Sequence, residues 1–226
     1  MPNQPVQELR QRWQPVKEGE ASDDRYNPIR IRLHRCWSWM ERIEELEAAG
    51  VGHDDPKLIY HWIALNSLYG RWDDQAREPI GDRYSLGTFL ERIYTLDQEG
   101  LIQKLLTENR ELVKAIVGDE FLNKYFWQDP SEDQARRAQN SARKLPSWHF
   151  EGRFIPILDI TLSRVYLIRC QLIHGAATYD SKLNRVAVGR CADFLELFLH
   201  AVSTIIIDHA WQEDWGSLCY PPIDSQ

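Results

Sequence analysis

Apolar residues recur at intervals of three and four along most of this chain, which is the spacing of an α-helix that packs one face. The sequence has no sustained alternation of apolar and polar residues, the pattern of a half-buried strand. Glycines and prolines separate the helical stretches. The sequence therefore predicts an all-α protein.

Four helices with a clearly apolar face are predicted. They cover about 28–50, 57–69, 154–174 and 186–211. Asn27 and Pro28 form a typical start for the first helix, and Gly175 is placed to end the third. Because the third helix has the widest apolar face, we expect it to be deeply buried.

The chain of 226 residues is long enough for one large domain, which we place at residues 27–212. Residues 1–26 are polar and contain three prolines, so we expect a peripheral N-terminal arm. Residues 213–226 are expected to form a C-terminal tail. The less regular stretch at about 72–150 is predicted to be a peripheral helical insertion, with helices at about 87–98, 101–117, 120–127 and 131–144.

The net charge of -7 argues against a protein that coats nucleic acid nonspecifically. The charge is unevenly distributed, however: between Gln134 and Arg190, ten lysines and arginines stand against three acids. A local phosphate-binding site would need such a basic segment. A solvated basic helix face, neutralised by acidic neighbours, explains the same charges.

Other features narrow the class of protein. The longest apolar stretch, Phe194 to Ile207, is interrupted by Glu196 and His200, so no membrane-spanning helix is expected. The N-terminus lacks the apolar core of a secretory signal, which favours a cytoplasmic protein. The four cysteines form no Cys-x-x-Cys pair, and the histidines show no metal-ligand spacing. We therefore expect neither a metal nor another cofactor.

Arg169 and His174, with four residues between them, lie at the end of the third predicted helix. An arginine can bind phosphate and a histidine can transfer a proton at neutral pH, a combination that suits cleavage of an RNA phosphodiester. Alternatively, Arg169 pairs with an internal acid and His174 is favoured by the helix dipole. Arg143 and His149 have a similar spacing, but a proline lies between them and we expect no site there.

The string from Arg169 to Arg185, RCQLIHGAATYDSKLNR, resembles the motif of the HEPN-domain family (higher eukaryotes and prokaryotes nucleotide-binding), an all-α family with an Arg-x(4–6)-His motif. The stretch from Tyr60 to Gly70, YHWIALNSLYG, resembles the second core helix of bacterial members. The resemblance implies an up-and-down helical bundle with the insertion outside it. It also implies a metal-independent endoribonuclease, acting as a homodimer in a toxin–antitoxin or antiphage setting, with an antitoxin or other regulatory protein as a further partner.

By this resemblance, Arg169 would bind the phosphate and His174 would be the general acid or base acting on the ribose 2′-hydroxyl or the leaving 5′-oxygen. The expected products are a 2′,3′-cyclic phosphate and a 5′-hydroxyl. Cys170 departs from the family pattern, in which a polar Asn, Asp or His commonly follows the arginine. The departure favours an alternative, a noncatalytic module that binds RNA, a nucleotide or a protein partner.

Four further residues are candidates for supporting roles. Asn66 is expected on the packed side of its helix, where its carboxamide needs partners such as Arg169, His174 or backbone groups. Tyr179, Asn184 and Arg185 are expected at the mouth of the cleft, with ordinary loop capping as the alternative.

Overall fold

The computed structural model describes residues 5–180, 182 and 184–220. The α-helices in this part of the chain are α1 Val6–Glu18, α2 Asn27–Ala48, α3 Asp54–Tyr69, α4 Asp82–Leu96, α5 Leu101–Glu108, α6 Arg110–Gly118, α7 Lys124–Gln128, α8 Glu132–Phe150, α9 Phe154–Ile173 and α10 Arg185–Ile205. A two-residue antiparallel ribbon pairs β1, Trp72–Asp73, with β2, Glu78–Pro79. The prediction of an all-α fold is confirmed.

The centre of the molecule is formed by α2, α3, α9 and α10. Helix α3 packs between α2 and α10, and α9 contacts both α3 and α10. The indole Nε1 of Trp37 on α2 donates to Ser203 Oγ on α10 at 3.1 Å. Phe194 and Phe198 of α10 are fully buried with nearly parallel rings. The four helices predicted with clear apolar faces therefore build one common core.

The N-terminal segment that we expected to be a peripheral arm contains α1, which packs on α2. Val6, Leu9 and Trp13 lie one helical turn apart and are buried. The backbone N–H of Val6 also donates to Glu44 Oε1 of α2 at 2.8 Å. Residues 6–18 thus belong to the folded domain, whereas residues 1–4 of the expected arm lie outside the described residues.

The segment that we expected to be a peripheral insertion contributes to the same core. Helices α5 and α6 pack on α9 and α10, and α8 packs on α6 and α9. Ile102, Leu106, Val113 and Ile116 are fully buried there. These helices are short and interrupted, so their apolar faces are less evident in the sequence than those of the four central helices.

Several helix boundaries differ from the predicted ones. The single helix predicted at 101–117 is divided into α5 and α6 at Asn109. Helix α8 begins after Ser131, whose side chain accepts the N–H of Gln134 as an N-cap, and it continues through Pro146 to Phe150. Helix α10 ends at Ile205, and a π-helical turn over Ile206–Ala210 follows it. No helix in the described part of the chain is long and apolar enough to cross a membrane.

A buried arginine that the sequence did not single out connects the C-terminal segment to the bundle. Arg32 on α2 is 1% exposed. Its Nη1 donates to the carbonyls of Leu68 at 3.0 Å and Gly70 at 2.7 Å, at the end of α3. Its Nη2 donates to three carbonyls of the C-terminal segment, those of Trp215, Gly216 and Ser217. Burial lowers the pKa of Arg32 to about 10.

Candidate functional site

Arg169 lies on α9, one turn before its end, and is half-buried. Its guanidinium carbon is 5.6 Å from the ring centres of both Trp62 on α3 and Tyr166 on α9. Its Nη1 contacts Cys170 Sγ at 3.8 Å, and its Nε is buried without a hydrogen-bond partner. Within residues 5–180, 182 and 184–220, no carboxylate forms an ion pair with this guanidinium.

Two tyrosines and one acid complete the surroundings of Arg169. The Tyr69 hydroxyl donates to Asp82 Oδ1 at 2.8 Å, so this carboxylate is engaged by a neutral group. Burial, followed by the charge of Asp82, holds the pKa of Tyr69 above its ordinary value. Burial also raises the pKa of Tyr166, with Cys170 as the next cause. Both phenols therefore stay neutral near pH 7 and form no ion pair with Arg169.

His174 is the residue at which α9 ends, and it is exposed. Its backbone N–H donates to the Cys170 carbonyl at 3.0 Å, while its ring makes no hydrogen bond or ring contact with the part of the chain that the structure describes. Gly175 follows with a φ of +71° and ends the helix as predicted. Arg169 and His174 form no side-chain hydrogen bond with each other.

Asn66 and Cys170 take different positions relative to Arg169. Cys170 is half-buried, with its sulfur against the guanidinium. Asn66 is half-buried on α3, but its carboxamide forms no hydrogen bond with Arg169 or His174 in the described structure. Only its backbone carbonyl has a clear role, accepting the N–H of Gly70 at 2.7 Å. The expected polar support from Asn66 is therefore not present in this arrangement.

The loop between α9 and α10 is attached to the start of α3. Arg185 Nη2 donates to Asp55 Oδ2 at 2.9 Å, and the backbone N–H of Asp180 donates to the same oxygen at 2.8 Å. The ring of Tyr179 meets the His53 ring edge to face at 5.7 Å. Sequence reasoning missed Asp55, because its partners are more than a hundred residues away along the chain.

Asn184 and Arg185 lie where this loop meets the start of α10. Asn184 has a left-handed φ of 61° and starts α10 without a side-chain cap. Burial tends to raise the pKa of Asp55, but the hydrogen bonds from Arg185 and Asp180 outweigh it and leave the pKa below its ordinary value. Arg185 is therefore engaged by an acid, which matches the loop-capping alternative. Tyr179 remains exposed.

The chain matches no protein-family model, no curated protein and no solved structure. The segment from Tyr60 to Gly70 meets the segment that begins at Arg169, because the Trp62 ring lies against the Arg169 guanidinium.

One group in the described residues places potential metal ligands together, namely Glu99, Asp208 and His209. This group could not be predicted from local spacing, since Glu99 is distant from the other two along the chain. Asp208 already pairs with Arg12 at 2.5 Å, and His209 Nε2 lies 3.8 Å from a Glu99 carboxylate oxygen. Asp208 and His209 therefore already have charged neighbours within the protein, and no metal site is assigned to this group.

Proposed function

We propose that this protein is an endoribonuclease that needs no metal, with Arg169 as the phosphate-binding cation and His174 as the proton-transfer group. The observation that carries the proposal is the guanidinium of Arg169, half-buried between two rings without an acid partner in the described structure. Because this half-buried guanidinium has no direct acid partner among the described residues, it can donate charge-assisted hydrogen bonds to an incoming phosphate. The alternative of a structural ion pair requires an acid against this guanidinium, and none is found among the described residues.

Arg169 and His174 form no hydrogen bond with each other within one chain, and we infer that a second copy completes the site. Ile173 is 51% exposed and Val186 is 64% exposed, next to His174 and at the start of α10. These apolar side chains offer a surface on which a second copy could pack. In such a dimer, Arg169 of one copy and His174 of the other would face one cleft.

The proposed reaction requires two proton transfers. The 2′-oxygen of the ribose bonds to phosphorus as its proton leaves, and the bond from phosphorus to the 5′-oxygen breaks as that oxygen gains a proton. In each cleft, the single His174 side chain would transfer one of these protons, and a water molecule would take up or supply the other. Arg169 would stabilise the charge that develops on the phosphate oxygens. The products are a 2′,3′-cyclic phosphate and a 5′-hydroxyl.

The test is cleavage of a mixed RNA panel in EDTA by the wild type, Arg169→Ala and His174→Ala. We expect each variant to lose roughly 10²- to 10⁴-fold in rate. Arg143→Ala and His149→Ala are matched controls, because this pair on α8 has a similar spacing and lies outside the site. Equal loss in the control pair and the motif pair would contradict the assignment.

A second candidate is a noncatalytic module that binds RNA, a nucleotide or a protein partner at Arg169. It is favoured by Cys170, whose sulfur contacts the guanidinium where a polar helper would be expected. Fluorescence anisotropy with labelled single-stranded RNA distinguishes the two functions. Salt-dependent binding that weakens in Arg169→Ala, without cleavage by the folded wild type, would identify the binding module.

We propose that cleavage takes place in a defence system of the cell. An RNA substrate is consistent with action in the cytoplasm, and the likeness to bacterial HEPN proteins suggests toxin–antitoxin or antiphage defence. An antitoxin or other regulatory protein would inhibit cleavage most directly by covering the exposed end of α9 at His174. Co-purification from the native host, followed by recovery of cleavage after the partner is removed, tests this part.

A further inference from the structure

A cavity of about 820 Å³ lies between α4, the segment 122–125, α8 and α9. Tyr69, Asp82 and Tyr166 form the wall that it shares with the surroundings of Arg169. The remaining lining includes an apolar surface formed by Leu86, Leu90, Leu122, Ile160, Leu162 and Leu167. The volume is within the usual range of small-molecule sites, and the surface would favour a ligand with an apolar body.

The charged groups around this cavity are mainly basic. Arg83, Lys124, Arg137 and Lys144 are exposed at its entrance, and none of them forms an ion pair in the described structure. Only two acids, Asp82 and Asp159, are among the described residues that line it. The cavity therefore has an excess of positive charge and would attract an anion.

The most informative of the basic residues is Arg164 on α9, which lines the cavity and is 8% exposed. Its Nη1 donates to the Leu122 carbonyl at 2.9 Å, whereas its Nε is buried without a partner. No carboxylate forms an ion pair with this guanidinium in the described part of the chain. The charge of Asp119, which does not line the cavity, only partly offsets the burial that lowers the pKa of Arg164, so an anion in the cavity would stabilise this guanidinium further.

We propose that this cavity binds a small organic anion with an apolar body and a phosphate or carboxylate head. Arg164 would provide the buried positive charge, and Arg137 and Lys144 would contact the head at the entrance. The leucines and isoleucine of the lining would cover the apolar body. The inference does not depend on RNA cleavage, because Arg169 does not line the cavity.

Gly87 on α4 allows the cavity to be blocked without disturbing the fold. It lines the cavity, and a Cβ added there would meet no atom within 4 Å. A leucine at this position would occupy part of the open volume. Because leucine favours helix more than glycine does, Gly87→Leu is expected to fold at least as well as the wild type.

The test uses two fluorescent probes, anilinonaphthalene sulfonate and its uncharged parent, phenylnaphthylamine. The sulfonate stands in for the phosphate or carboxylate head. We expect saturable binding of the sulfonate that is tighter than binding of the parent compound and that weakens as NaCl is added. Displacement by naphthyl phosphate or by naphthoate shows which head is preferred, and failure of both to displace the probe overturns the proposal.

Variants assign the binding to this cavity. Arg137→Gln combined with Lys144→Gln should weaken sulfonate binding by roughly tenfold and leave phenylnaphthylamine binding unchanged. Gly87→Leu should weaken binding of both probes, whereas Arg143→Gln, which removes a neighbouring charge outside the cavity, should affect neither. Unchanged sulfonate binding in a folded Gly87→Leu protein, or equal affinity of the wild type for both probes, would overturn the proposal. Arg169→Ala should retain probe binding, which separates this result from the RNA experiment.

Discussion

The guanidinium of Arg169 lies 5.6 Å from the centre of the Trp62 ring, and this contact connects α9 to α3. The ring holds the cation in place without neutralising it. A carboxylate paired with Arg169 would compete with a phosphate for the guanidinium, whereas the Trp62 ring does not. Arg185, by contrast, pairs with the Asp55 carboxylate. Stability measurements can detect this difference between the two arginines.

Replacing these two arginines by methionine should have unequal effects on the free energy of unfolding. Arg169→Met removes aromatic contacts and should cost about 1 kcal/mol or less. Arg185→Met removes the charged partner of the buried Asp55 carboxylate, which keeps the Asp180 N–H, and should cost about 2–4 kcal/mol. Urea denaturation followed by tryptophan fluorescence measures both values. A loss in Arg169→Met as large as that in Arg185→Met would indicate that Arg169 is structural.

The proposed dimeric cleft predicts complementation between two inactive variants. If each site takes Arg169 from one copy and His174 from the other, a mixed dimer of Arg169→Ala and His174→Ala retains one intact site. Random mixing should then restore about a quarter of wild-type cleavage. The variants are mixed under denaturing conditions, refolded together and assayed beside each variant alone. No recovery, in a mixture shown to contain mixed dimers, would contradict a shared site.

Loss of the Arg32 guanidinium should be among the most destabilising single changes in this protein. Arg32→Met leaves carbonyls of α3 and of the C-terminal segment without their donor and should cost roughly 3–5 kcal/mol. Arg35→Met is the matched control on the same helix, since Arg35 donates to the Cys219 carbonyl at 3.3 Å and is less buried. It should cost about 1 kcal/mol. Thermal and urea denaturation compare them, and similar losses would contradict the proposed role of Arg32.

Buried histidines should make the protein less stable in mild acid. Burial lowers the pKa of His61 from its ordinary value of 6.5 to about 3, so the folded state stays unprotonated where the unfolded chain binds a proton. Stability is therefore present above pH 6.5 and is lost as the pH falls toward 3. This group alone should remove about 2 kcal/mol between pH 7 and 5.

The comparison of His61→Gln with His34→Gln tests this pH dependence. His61 is 2% exposed, whereas His34 is exposed on α2. Urea denaturation at pH 7 and 5 should show a smaller pH effect in His61→Gln and an unchanged one in His34→Gln. His200 also has a pKa lowered by burial, to about 4, and should maintain part of the effect in both variants. An identical pH dependence in the wild type and His61→Gln would contradict the assignment.

Local patterns were sufficient to predict the central helices and the end of α9. The spacing of apolar residues predicts α2, α3, α9 and α10, and the glycine after His174 ends its helix with a positive φ. Arg169 could be identified as a candidate from its own string. The helices of the predicted insertion were correct in type, but their contribution to the core depends on packing against distant segments.

The remaining features depend on partners that are far away in the sequence. Arg32 bonds to carbonyls that lie between 35 and 185 residues further along the chain, and carbonyls carry no sequence signal. The proposed anion-binding role of Arg164 follows from the basic cavity that it lines and from the absence of an ion pair with it among the described residues. Neither property is visible in the sequence around Arg164. The residues next to Arg169 in the sequence also do not show whether an acid pairs with it in the folded chain.

The most direct test of the central claim is the identity of the RNA ends formed in EDTA. If Arg169 binds the phosphate and His174 transfers the proton, the wild type should produce 2′,3′-cyclic phosphate and 5′-hydroxyl ends. Arg169→Ala and His174→Ala, shown to be folded, should produce neither. Absence of cleavage by the folded wild type, different ends, or as much product from either variant as from the wild type would contradict the account.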